Sequence, residues 1–315
     1  MIHRILPDDK THWLKLRSTN INSTEVSALF GLSPYQTEFE LYHRHVSELQ
    51  VDFTETDRTR WGTRLQNSIA EGIAEDQGWE VREAKEYIYD DELKMGSSFD
   101  YMLLDKRYHD PKEDAAILEI KNVDGMAFRD GWIEDEEDGT IEAPPHIELQ
   151  VQHQMALTGL KKAYIGAFIG GNKVVLIERD ADDEIIESIR NKIKEFWQRV
   201  QDKNPPSPDF KHDMDVISKL YGYAAPGKVI ESNEEINKWA KKYKRVSDVI
   251  KKLEVRKDEY KAHILTQIKD AEKVSGDLFS ITASMVGPSS YEVNREGFRM
   301  FRINWRKAKS EKTKS

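Results

Sequence analysis

The chain has 315 residues, 38% of them apolar and seven of them Trp, enough to build a sizeable core and to exclude wholesale disorder. It contains no Cys, so disulfides, Cys-based zinc sites and iron–sulfur clusters are excluded. The net charge of −9 divides unevenly: residues 231–315 carry 20 Lys and Arg against 13 Asp and Glu, net +7, whereas residues 1–230 carry 28 against 44, net −16. An acidic half does not exclude a nucleic-acid partner, because carboxylates that hold cations gain positive charge and only the local groove has to be basic. No run approaches the ~18 apolar residues of a membrane span. The opening Met1-Ile2-His3-Arg4 lacks a signal-peptide core, so a cytoplasmic location is expected.

Asp8 to Arg17 reads as a first helix, capped by Asp8 and carrying Trp13, Leu14 and Leu16. Asn22-Ser23-Thr24-Glu25 opens a second, with Val26, Leu29 and Phe30 on one side and Gly31 at its end. A turn at Leu32-Ser33-Pro34-Tyr35 leads to a third helix, Thr37 to Glu48, whose His43 and His45 point to different sides and so form no metal pair. The polar stretch Val51 to Arg58 reads as a loop. Arg60 to Gly78 is a long helix with Leu65, Ile69 and Ile73 as its buried stripe.

Trp79 to Tyr89, Met95 to Leu104 and Ala115 to Asn122 read as strands, with Asp105 to Asp114 as the turn between the last two. The run Glu134-Asp135-Glu136-Glu137-Asp138 favours an exposed loop. A helix over His146 to Thr158 precedes a hairpin, Ala163 to Ile169 and Lys173 to Glu178, and then a helix over Asp182 to Val200. Asn204-Pro205-Pro206-Ser207-Pro208 is the clearest linker. Beyond it, Glu231 to Ser275 contains no Gly or Pro and steps its apolar residues by three and four, as in an amphipathic helix or helical pair. Leu278 to Met285 and Phe298 to Trp305 read as a terminal β-hairpin. The expected division is residues 1–203, a linker 204–230, and a basic region 231–315.

Chemistry concentrates at Ser98-Phe99-Asp100 and Glu119-Ile120-Lys121. A period of two puts Glu119 and Lys121 on one strand face and Ile120 on the other. If the two strands pair, Asp100 approaches Glu119, and two carboxylates and an ammonium converge. Those residues fit two readings: a surface hairpin with solvated charges, or a site for a hard divalent cation, where the lysine orients water or stabilises charge on a phosphate. Flanking apolar runs favour the second, because charges at the end of a buried strand need a reason.

Four blocks occur in order: Trp13-Leu14-Lys15-Leu16-Arg17 with Ile21-Asn22-Ser23-Thr24-Glu25-Val26; Arg60-Trp61-Gly62; Ser98-Phe99-Asp100 with Glu119-Ile120-Lys121; and Gln150-Val151-Gln152-His153-Gln154-Met155. In them the chain resembles the lambda exonuclease and YqaJ-type viral recombinase group of the PD-(D/E)XK nuclease superfamily, over roughly residues 8 to 200. The resemblance implies a mixed α/β restriction-endonuclease-like core, a central mixed sheet flanked by helices, to which the helical and hairpin region is appended. It implies Mg²⁺, replaceable by Mn²⁺, held by Asp100, Glu119 and the Ile120 carbonyl, with Lys121 and Gln150 (Gln152 as the second match) supporting catalysis. The family's further metal-binding glutamate, four residues after the glycine of the Trp-Gly pair, is Gln66 here, which puts a second metal in doubt.

Arg17, Thr24 (where the family has serine) and Ser98 fall on positions that grip a terminal 5′-phosphate. The implied activity is 5′-to-3′ resection of double-stranded DNA ends in a bacterial or phage-infected cell. The implied partners are a single-strand annealing protein and further copies of the chain, as in the trimeric ring of lambda exonuclease. An endonuclease on the same core and a non-enzymatic adaptor remain the alternatives.

Overall fold

Side-chain caps fix most of the helix starts in the computed structural model of the chain, which describes residues 1–46, 49, 56–104, 115–135, 139–290, 292 and 297–305. Two units are present, Met1–Leu220 and Tyr221–Ser315. The first begins with β1 (Ile2–Ile5), α1 (Lys10–Ser18), β2 (Ile21–Asn22), a 3-10 turn Val26–Phe30, α2 (Glu38–His45) and α3 (Asp57–Gln77). It continues through β3 (Glu80–Glu83), β4 (Tyr87–Asp90), β5 (Met95–Ser97), β6 (Tyr101–Leu104), β7 (Ala115–Val123), α4 (Gly125–Gly131), β8 (Ile133–Glu134) and β9 (Ile141–Glu142). It closes with α5 (Pro145–Thr158), β10 (Lys162–Ile169), β11 (Lys173–Asp180), α6 (Asp183–Gln201) and α7 (Met214–Leu220).

The cap of α1 is Asp9, which accepts from His12 N at 2.7 Å; Asp8, expected in that place, meets the His12 ring instead. Thr56 and Thr59 cap α3 reciprocally, and Gly78 ends it in the left-handed region at φ 70°. The expected helix after Asn22 is a short strand and a 3-10 turn. Glu25 Oε2 accepts from both Asn22 N (3.0 Å) and Asn22 Nδ2 (2.7 Å), so the polar side chains compete for the backbone and tighten the turn.

The fold is mixed α/β. A five-stranded sheet in the order β11-β10-β7-β6-β3 is parallel only between β10 and β7, and a four-stranded sheet runs β1-β4-β5-β2. The expected long strands 79–89 and 95–104 are each broken, because each contributes one half to each sheet: β3 and β6 to the larger, β4 and β5 to the smaller. Ser98-Phe99-Asp100 is the crossing between them. Alternation on β7 sends Leu118 and Ile120 to α3, where Ile69, Ala70 and Ile73 cover them. Ile117 faces the other way, into the core built by Val151 and Met155 of α5 and Ile189, Ile193 and Phe196 of α6. Burying each such side chain contributes about 1.5–3 kcal/mol.

The first unit runs beyond the proline-rich stretch. Asp213, 1% exposed, accepts from Thr37 Oγ1 at 2.5 Å and from Asp209 N at 2.6 Å, and Val216 is buried, so the chain past residue 203 is fastened to the start of α2. The expected turn 105–114, much of the loop 51–58 and residues 136–138 of the acidic run lie outside the described residues. In the second unit α8 (Glu234–Ile268) is one continuous helix capped by Asn233, followed by β12 (Lys273–Ser275) and β13 (Ser280–Thr282), paired antiparallel. The hairpin thus lies earlier than expected, and residues 298–305 form no strand. Its loop is short and closed by Gly276 N donating to Phe279 O at 2.8 Å, which costs less closure entropy than pairing across the Gly287-Pro288 segment.

Candidate active site at the end of strand β7

Strand β6 starts at Tyr101, which pairs with Leu118, so the backbone of Ile120 lies beyond the antiparallel ladder. Asp100 supplies the missing partner: its Oδ2 accepts from Ile120 N at 2.8 Å. This contact holds the Asp100 carboxylate at the end of β7, beside the face that carries Glu119 and Lys121. On that face Glu119, 4% exposed, collects its neighbours. Its Oε1 accepts from Lys121 Nζ (2.7 Å) and Gln150 Nε2 (2.6 Å), and its Oε2 from Gln154 Nε2 (2.8 Å). Lys121 Nζ also donates to Gln150 Oε1 at 3.0 Å. Asp100, Glu119, Lys121 and Gln150 therefore converge, and Gln66 of α3 hydrogen-bonds Asp100.

The electrostatics are strained. Burial, then the charge of Glu119, pushes the Asp100 carboxyl up to about 7, against the opposing pull of Lys121, the Ile120 amide and Gln66. Burial would lower the Lys121 ammonium, but Glu119 and Asp100 outweigh it and raise its pKa, so the lysine stays charged. At the mouth, Tyr35 and His146 meet edge-on at 5.6 Å, and burial followed by the Lys121 charge lowers the His146 pKa.

Sequence reading misses Gln154, although helical geometry points to it. Residues four apart share a helix face, so Gln150 and Gln154 both reach Glu119. Gln152, two residues on, faces elsewhere: it donates to Asp180 O and accepts from Asp182 N, joining β11 to the start of α6. Trp13 is the other omission. Its Nε1 donates to Ser98 Oγ at 2.9 Å, its ring lies 4.8 Å from the Arg17 guanidinium carbon, and Arg17 donates to Thr24 Oγ1 at 3.1 Å. Trp13 thereby gathers Arg17, Thr24 and Ser98 into one cluster, two residues upstream of Asp100.

Residues 12–161 match the family model described as the YqaJ-like viral recombinase domain. That match covers 150 of the 315 residues. The chain is also 27% identical over 268 residues to the uncharacterized protein YqaJ of Bacillus subtilis strain 168, covering 84% of this chain and 79% of that one. Among solved structures it is similar to the alkaline exonuclease LHK-Exo of Laribacter hongkongensis in complex with dAMP (16% identity, TM-score 0.47, 62% of this chain and 94% of that one). It is likewise similar to a phage-related exonuclease from Haemophilus somnus 129PT (13% identity, TM-score 0.44, 58% and 94%). No helix among the described residues is long and apolar enough to cross a membrane.

The donor set of the YqaJ-like domain fits a hard divalent cation that keeps several of its waters. No group of three or more His, Cys, Asp or Glu suited to a metal occurs among the described residues. Two carboxylates with an amide beside them nevertheless suffice for a Mg²⁺-like ion, which dehydrates reluctantly. Gln154 Oε1 is buried and has no hydrogen-bond partner among the described residues, an acceptor suited to a cation-bound water. The raised Asp100 pKa comes first from burial and then from the charge of Glu119. Gln66→Glu would place a third carboxylate there. The variant is expected to lower the Mg²⁺ concentration needed for half-maximal thermal stabilisation, roughly tenfold for each 1.4 kcal/mol of added cation affinity. It should also melt earlier than the parent in EDTA; an unchanged Mg²⁺ titration would place Gln66 outside the cation's reach.

Proposed function

We propose that the Met1–Leu220 unit is a divalent-cation-dependent deoxyribonuclease that resects double-stranded DNA from 5′ ends. The observation that carries this reading is the convergence of Asp100, Glu119, Lys121 and Gln150 at the end of β7, within a YqaJ-like domain and next to the Arg17–Thr24–Ser98 cluster. Asp100 and Glu119, with the Ile120 carbonyl and Gln66 as neutral donors, would hold Mg²⁺ or Mn²⁺. Bound there, the ion supplies Lewis acidity to a phosphate oxygen and acidity to water.

The chain's own groups do the rest. Two of the three Lys121 N–H donors are spent on Glu119 and Gln150 among the described residues, so the ammonium is oriented and one donor remains for the attacking water or a phosphate oxygen. Gln150 donates to Glu119 and accepts from Lys121, locking both side chains in one geometry. Arg17, stacked on Trp13 and tied to Thr24, offers its planar fork to a terminal phosphate, and Ser98 and Thr24 add hydroxyls. A single strand left by such resection suits an annealing protein as its recipient, and a ring of copies would keep the enzyme on its track.

The test is digestion of linear duplex with 5′-phosphate or 5′-hydroxyl ends, and of closed circles, with Mg²⁺ or EDTA. Mg²⁺-dependent loss of linear DNA with circles spared is the expected result. Cut circles would make the protein an endonuclease, and intact substrates throughout would make it an adaptor. Arg17→Ala is expected to reduce the preference for 5′-phosphate over 5′-hydroxyl ends by roughly ten- to a hundredfold, the equivalent of a charged hydrogen bond of about 1.5–3 kcal/mol. Equal losses on both ends would make Arg17 a general DNA or packing residue.

A further inference from the structure

In the second unit, helix α8 carries a seven-residue repeat that the proposed nuclease chemistry does not use. Ile236, Tyr243, Ile250, Lys257 and Ile264 recur every seven residues, and Trp239, Val246, Leu253 and Tyr260 recur three residues after the first four of them. That is the a and d pattern of a helix meant to wind around another helix, since a period of 3.5 keeps one stripe facing a partner. No residue of α8 is buried among the described residues. Tyr243 touches Phe301 edge-on at 5.8 Å, yet the stripe from Val246 through Ile250, Leu253 and Tyr260 to Ile264 stays 44–58% exposed at its apolar members. Single exposed apolar residues are ordinary, whereas a continuous stripe along a 35-residue helix marks an interaction surface.

Charge selects the occupant. The positions flanking the stripe include Lys242, Arg256 and Lys261 against Glu254. In a parallel pair with a second copy, Arg256 would face Lys261 of the other helix and Lys257 would face itself within the seam. Both juxtapositions disfavour self-pairing. A helix with Glu or Asp at its flanks and opposite Lys257 reverses each of them into an attraction.

We infer that α8 is a docking arm for one partner, a protein helix with an apolar heptad seam and acidic flanks. The probe is a fluorescent synthetic helix with Ile and Leu at its seam, Glu at its flanks and Glu opposite Lys257, titrated into the full chain by anisotropy. Saturable binding is expected, weakened at least tenfold by Ile250→Asp or Leu253→Asp and by exchanging the peptide's Glu flanks for Lys. The two substitutions should leave DNA digestion by the same preparations at the parent rate, which separates this inference from the nuclease reading. Any of these results would overturn it: equal binding of the Glu- and Lys-flanked peptides, binding untouched by both substitutions, or loss of a dimer of the chain itself on Ile250→Asp. Loss of DNA affinity with Ile250→Asp, without loss of peptide binding, would likewise assign the stripe to DNA and end the proposal.

Discussion

Asp100→Asn is expected to abolish cleavage, by a thousandfold or more, while making the cation-free protein more stable at neutral and alkaline pH. The catalytic half follows from losing one of the two carboxylates that would hold the cation in the proposed nuclease, whose stabilisation of the transition state is worth several kcal/mol at about 1.4 kcal/mol per tenfold. The stability half follows from the pKa. Asp100 is held near 7 in the folded chain, above the ordinary carboxylate range, by burial and by the charge of Glu119. A carboxyl raised on folding contributes its stability in full below its unfolded pKa and loses it as pH rises through the folded value. Asn keeps an acceptor for Ile120 N, carries no charge, and escapes that loss.

The gap in melting temperature between Asp100→Asn and the parent, measured in EDTA, should therefore open between about pH 4 and pH 8. Adding Mg²⁺ should raise the parent's melting temperature and leave the variant's unchanged. Glu119→Ala should be equally inactive but less stable, because it strips the counter-charge from Lys121 and orphans donors of Gln150 and Gln154. Parent-like cleavage by clean Asp100→Asn protein would remove the site assignment.

How legible the site was depended on which geometry carried it. Glu119 and Lys121 could be read from the period of a strand, and Asp100 from its place before an apolar run, because both signals are local. The quartet needed α5 as well, and there the resemblance offered Gln150 with Gln152 as a second match, whereas on a helix the residue that shares the face of Gln150 is four away, at Gln154. Trp13 was hidden for another reason. Its side chain reads as core, and only the tertiary contact with Ser98, 85 residues away in sequence, turns it into the hub of the Arg17 cluster. The broken strands were illegible because a crossing between two sheets leaves no mark in hydrophobic alternation. The extension of the first unit past Pro208 was masked by composition, since the buried Asp213 that fastens it counts as a polar residue in a polar stretch.

Gly96→Ala is expected to be the most damaging single-methyl change next to the site. Gly96 lies in β5, which delivers Ser98 and Asp100, and its carbonyl accepts from His153 Nε2 at 3.0 Å. A Cβ there would fall 2.0 Å from Tyr87 Oη, 2.6 Å from Tyr87 Cζ and 3.0 Å from Asn20 Cβ. Neither the ring nor the strand has an easy retreat. Tyr87 is fully buried and donates to Asn22 Oδ1 at 2.9 Å, and Asn22 belongs to the turn that presents Thr24. Moving β5 instead would stretch the bond to His153, which burial keeps neutral with a pKa of about 3 and which therefore gains nothing from losing its carbonyl.

Overpacking of this kind costs about 1–3 kcal/mol and occasionally more. For a unit of this size that is a melting temperature lower by roughly 2–4 °C per kcal/mol. Cleavage should fall as well, below the melting range, because the same strand sets the position of Asp100 relative to Glu119. A double-mutant cycle checks the cause. In a Tyr87→Leu background, which removes the ring, Gly96→Ala should cost far less than in the parent. Equal costs in the two backgrounds would show that the damage comes from the backbone of β5 rather than from the collision with Tyr87.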